Sequence, residues 1–126
     1  METVLLYQIK GTKTAALLKP VLLKLGIRVR IVEPEQYLQS IGFLAGNKAF
    51  AESPEAYDGA GFEEPMMVMA GFSERKLDLF LTEMRRKKVP PIALQAIVTT
   101  QNQAWNSLQL YRELKEEHEK MKSYRK

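Results

Sequence analysis

Residues 64–100, EPMMVMAGFSERKLDLFLTEMRRKKVPPIALQAIVTT, admit few folds. The apolar run over 65–72 is too short for a helix and is closed by Gly71. Ser73 follows where a helix N-cap belongs, because its hydroxyl can accept a bond from a backbone N–H one turn on. Leu77, Phe80, Leu81 and Met84 then recur at i, i+3, i+4 and i+7, one face of a helix. Pro90-Pro91 stops that helix, and residues 92–99 are extended again. Strand, turn, helix, turn, strand is a β-α-β unit.

The first 32 residues follow the same plan. A strand over 3–9 turns at Gly11-Thr12 into a helix over 14–25, with Leu18, Val21, Leu22 and Leu25 on one face. Pro20 lies inside that span and predicts a kink. Gly26 ends the helix, and residues 27–32 alternate Ile27, Val29, Ile31 against Arg28, Arg30, the pattern of a half-buried strand. At one constant offset Tyr7 meets Met69, Leu18 meets Phe80, Leu22 meets Met84 and Ile27 meets Val89. The match is one of pattern rather than identity.

Between the units, Glu33-Pro34-Glu35-Gln36 opens a short helix carrying Tyr37, Leu38 and Ile41. Residues 47–63 have no period and contain Ser53-Pro54 and Asp58-Gly59-Ala60-Gly61, so a mobile loop, dispensable for folding, is expected there. Phe50, Tyr57 and Phe62 are the side chains that can pin it. After the last strand, Thr100 with Gln103 suits a capping box, and Trp105, Leu108, Tyr111, Leu114, His118 and Met121 mark the stripe of a helical extension over 101–126.

These elements predict a single α+β domain over 1–126. Two arrangements compete. In a ferredoxin-like fold two split β-α-β units interleave antiparallel, with the first and third strands central and an extra C-terminal helix. In a doubly wound α/β fold all four strands run parallel. The pseudo-repeat favours the first. Both central strands, VLLYQI and PMMVMAGF, are apolar on both faces. They therefore need cover on both sides, from the C-terminal helix or from a second copy.

Composition narrows function by exclusion. The chain has no cysteine, hence no disulfide, thiolate nucleophile or cysteine metal site. Its net charge of +4 permits anionic partners without demanding them. No apolar run approaches the roughly 20 residues of a membrane span, and residues 1–3 do not begin a signal peptide. A cytoplasmic protein is expected. The phosphate-loop, dinucleotide and zinc-helix signatures are missing. The lone His118 sits among Glu and Lys. No catalytic residue, metal ligand or cofactor is assigned.

Two places remain. The turn Gly71–Ser73–Arg75 offers helix-start N–H groups and a guanidinium to a small anionic ligand, although Glu74 opposes one. Trp105, Leu108 and Tyr111 offer an apolar stripe to a protein partner. Arg85-Arg86-Lys87-Lys88 complements the helix dipole. The third strand lacks the aromatics of an RNA-binding sheet, which makes nucleic acid an unfavoured partner. The expected role is a non-catalytic interaction or regulatory module that self-associates.

Met67-Val68-Met69, Gly71-Phe72, Leu77, Leu81, Arg85, Leu94, Ala96-Ile97-Val98-Thr99, Asn102, Trp105 and Leu108 resemble a small bacterial family known only as a domain of unknown function. Pro34-Glu35-Gln36, Ile41-Gly42 and Leu44-Ala45-Gly46 are similar to the upstream part of the same proteins. A lysine often stands there in place of Gln95, and a proline in place of Gln101. The resemblance implies no activity, substrate or catalytic residue.

Overall fold

A computed structural model describes residues 2–124 of the chain. Strand β1 (Thr3–Tyr7) leads through helix α1 (Lys13–Lys24) to β2 (Arg28–Ile31). A 3-10 turn (Pro34–Gln36) and the short α2 (Ile41–Leu44) follow. The second unit is β3 (Met66–Ala70), α3 (Glu74–Arg86) and β4 (Leu94–Ile97). A second 3-10 turn (Asn102–Ala104) precedes α4 (Ser107–Tyr124); residues 125 and 126 of the expected extension lie outside the described ones.

The fold is α+β with a mixed four-stranded sheet in the order β2-β1-β3-β4. β1 pairs parallel with β2, β3 pairs parallel with β4, and β1 meets β3 antiparallel with Leu5 opposite Val68. This corrects both expected arrangements. The strands of each unit lie side by side, with none inserted between them as a split unit requires, and the sheet is not all-parallel. A tight exit from α1 brings this about: Gly26, at φ 66°, turns the chain so that Ile27 N–H bonds Leu22 C=O and Arg28 N–H bonds Glu2 C=O. The chain drops from the helix end onto the neighbouring strand position.

α3 ends the same way. Lys88 has φ 57°, and Val89 N–H bonds Met84 C=O. Leu18, Leu22, Phe80 and Met84 are all buried between α1, α3 and the sheet, so the helical part of the pseudo-repeat is real in space. The central strands β1 and β3 follow an offset one residue longer. Tyr7 therefore lies on the opposite face from Met69, and its structural counterpart is Ala70. Gln8 (φ 60°) and Gly71 (φ 78°) make equivalent left-handed turns just after β1 and β3.

α1 runs through Pro20, which is exposed. Ser73 caps α3 as expected, its hydroxyl accepting from Lys76 N–H at 3.1 Å. The expected box at Thr100 and Gln103 is displaced by one residue. Thr99 N–H bonds Asn102 Oδ1 at 2.8 Å, and Asn102 N–H bonds Thr99 Oγ1 at 3.1 Å.

β1 and β3 are buried along their whole length and divide the core in two. Val4, Leu6, Met67 and Met69 face α1 and α3. Leu5, Tyr7, Met66 and Val68 face Val32, Tyr37, Ile41, Leu44, Phe62 and Leu110. The second face is thus covered by α2, α4 and one end of the long loop, within a single chain. Among the described residues no helix is long and apolar enough to cross a membrane.

Candidate functional site

The second core is built on aromatic rings that are far apart in sequence. Phe62 lies between Tyr37 and Tyr111, with centroids 4.0 Å and 3.9 Å away and planes within 11° and 3° of parallel. Tyr7 flanks this stack at 5.7 Å from Phe62, and Tyr57 flanks it at 5.6 Å from Tyr37. The phenols are fixed by hydrogen bonds. Tyr7 Oη and Ser107 Oγ share one of 2.7 Å in the interior, Tyr37 Oη accepts from Phe62 N–H, and Tyr111 Oη accepts from Glu64 N–H. Burial pushes the Tyr7 phenol up, against the opposing bond from Ser107. Burial also raises Tyr37, against its bond to Phe62 N–H. Both phenols are therefore neutral at neutral pH, and their hydrogen bonds join β1 to α4 and the 3-10 turn to the loop.

The same bonds tie down the segment over 47–63. Gln39 holds Ser53 with two, donating from Nε2 to its carbonyl and accepting from its N–H. Tyr57 N–H bonds Glu35 C=O, and Gln8 Nε2 donates to Phe62 C=O at 2.8 Å. The segment has no helix or strand. A Cβ on Gly61 would meet Gln8 Nε2, so glycine there leaves room for the bond from Gln8 to Phe62 C=O.

Along this loop and α4 runs a groove of about 620 Å³. Phe62, Leu108 and Tyr111 floor it, and Arg112, Lys115, Glu116 and Glu119 form its rim. Leu108 and Tyr111, expected at an interface, therefore meet in one place. Trp105 does not line the groove. It is half-buried against the second core, and its C=O accepts from Ile41 N–H at 2.8 Å, joining the start of α4 to α2.

The other expected site lies at the turn from β3 into α3. Gly71 lines a shallow cleft with Gly46, Val98 and Thr100. Ser73 and Arg75 are exposed, and the Ser73 hydroxyl is taken up by the helix cap. His118 lies by Leu94, Gln95 and Leu114, at the side of β4. Among the described residues no group of three or more His, Asp or Glu side chains could hold a metal ion. The rings contributed by Tyr7, Tyr37 and Phe62 escaped sequence reading because each lies in a different element with no periodic relation to the others. The only local signal was the presence of Phe50, Tyr57 and Phe62 in an otherwise polar segment.

No curated protein and no solved structure matches the chain. A family model does. It covers β3, α3, β4 and α4 as far as Met121, where most of the quoted likeness lies. Residues 65–121 match the model of a domain family of unknown function, DUF3783.

Proposed function

We propose that the protein is a non-catalytic interaction module that self-associates along α4. The observation that supports this reading is the groove with its mixed rim. A two-fold axis across the groove brings Arg112 and Lys115 of one copy to Glu116 and Glu119 of the other, over the apolar floor of Phe62, Leu108 and Tyr111. A patch that complements itself is what a symmetric dimer uses. The rim carboxylates, with Glu63, are solvent-accessible and lie on one helix and one loop, without a nucleophile or a paired base among them. The reading keeps the cytoplasm as the setting and calls for no cofactor. Size-exclusion chromatography with light scattering tests it. A dimer is expected, converted to monomer by Arg112→Glu with Lys115→Glu while the circular dichroism spectrum stays that of the folded chain. A native monomer at the highest attainable concentration overturns the reading.

A further inference from the structure

The two edges of the sheet are built alike and finished differently. At β4, Val98 N–H bonds Met69 C=O, so the backbone of Ala96 and Val98 faces β3 and that of Gln95 and Ile97 faces outward. The outward C=O of Ile97 is then taken by Asn102 Nδ2 at 3.0 Å, within the turn that leads to α4. At β2, Arg28 N–H bonds Glu2 C=O and Val32 N–H bonds Leu6 C=O, which leaves the N–H and C=O groups of Val29 and Ile31 facing outward. Among the described residues nothing meets them. Val29 is 45% and Ile31 39% exposed, as Ile97 is at 46% on the other edge, so what distinguishes β2 is its uncapped backbone.

The side chains of this open edge also sort by face. Val29 and Ile31 are in register with Val4 and Leu6 on the α1 and α3 face. Arg28 and Arg30 are in register with Thr3 and Leu5 on the other, where Arg30 lies 5.8 Å over the Phe43 ring and donates to Leu44 C=O. An open strand edge pairs with whatever extended chain complements it. A second copy related by a two-fold axis normal to the sheet sets arginine against arginine, and like charges directly opposite one another are destabilising.

We propose that β2 is a docking edge for an extended segment of another protein in which acidic and apolar residues alternate. Acidic side chains of the incoming strand face Arg28 and Arg30, and its apolar ones extend the surface of Val29 and Ile31. The site is independent of the α4 groove and does not rest on self-association there.

Fluorescence anisotropy with a labelled hexapeptide of alternating glutamate and valine tests it on the intact protein. The matching lysine–valine peptide is the control. The glutamate peptide should bind and the lysine peptide should not. Arg28→Glu turns one favourable cross-strand pair into an unfavourable one, so affinity for the glutamate peptide should fall about tenfold and the lysine peptide should gain. Val29→Pro deletes an outward N–H and leaves the β1 ladder intact, so binding should fall while the circular dichroism spectrum is unchanged. Should that variant misfold, Arg28→Glu still decides. Equal binding of both peptides, no binding of the glutamate peptide, or indifference to Arg28→Glu overturns the proposal. So does a native dimer that Val29→Pro converts to monomer, because the occupant is then a second copy.

Discussion

Phe62 is the residue on which the long loop and the second core depend together. It is 9% exposed and sandwiched between Tyr37 and Tyr111. Its backbone is held separately, by the bonds from Gln8 Nε2 to its C=O and from its own N–H to Tyr37 Oη. Phe62→Ala therefore removes the ring without releasing the chain, and the space cannot close by collapse of the loop. Truncation of a core phenylalanine costs about 3–5 kcal/mol. That is a large share of the roughly 5–15 kcal/mol by which a domain of this size is stable. Phe62→Leu fills part of the space but loses both stacked pairs, and should cost about 1–3 kcal/mol, since each pair is worth about 0.5–1.5 kcal/mol beyond its buried area. Urea unfolding followed by far-ultraviolet circular dichroism gives both values, and the near-ultraviolet tyrosine signal should weaken in both variants. A loss for Phe62→Ala below about 0.5 kcal/mol, the scale of ordinary surface substitutions, refutes the reasoning. The segment over 47–63 would then be the dispensable loop that its lack of period suggests.

Three further outcomes are expected. Lys88→Gly should stabilise by about 0.5–1 kcal/mol, because Lys88 is exposed and holds a left-handed φ of 57° that Gly26 supplies without strain at the equivalent turn; a lowered melting temperature would mean that the lysine side chain contributes more than its backbone costs. Ser73→Ala should cost about 1 kcal/mol through the lost cap, and an unchanged urea midpoint would show that the Lys76 N–H finds another acceptor. The hydrogen bond from Lys24, at 3.2 Å, holds the Glu83 carboxyl below its ordinary range, with Arg86 assisting. Because the folded value lies below the unfolded one of about 4.3, this contribution is complete above that pH and is lost as pH falls through the folded value. Lys24→Met should therefore narrow the gap between the urea midpoints at neutral and acid pH, and an unchanged gap would show that the pair is not what titrates.

What could be read in the chain follows from which signals are local. Ser73, Gly26 and Pro90-Pro91 mark element ends by their own backbone chemistry, and α1, α3 and the strands beside them fall where those residues indicate. Strand order was not legible. The split and the side-by-side arrangements both bury β1 and β3 and leave β2 and β4 outside, so VLLY, MMVMA and RVRI show the same burial pattern in either. What separates them is the pairing of β2 with β1 and of β4 with β3, seen in bonds between distant residues such as Arg28 to Glu2 and Val32 to Leu6. The Thr99–Asn102 box was missed because Thr100 offers the same hydroxyl one position later. Leu108 and Tyr111 were legible as a stripe, but the Phe62 floor beside them came from a loop whose anchors, Gln39 and Gln8, lie in other parts of the chain.

The antiparallel seam between β1 and β3 relates the strands of the two β-α-β units by a local two-fold axis. Leu5 and Val68 sit on its axis, and every strand contact between the two β-α-β units crosses there. The family match takes in the unit on one side of that seam together with α4 as far as Met121. A half-chain beginning at Pro65 would carry MMVMA, a buried strand, with one ladder of N–H and C=O groups bare. The mate that satisfies it need not be β1. A second copy of the same half-chain, turned about the axis that already passes Val68, presents β3 to β3 in the same antiparallel sense. Joining two such halves end to end would convert an intermolecular interface into a seam within one chain. The antiparallel join between two otherwise parallel pairs is the geometry such a fusion would leave behind.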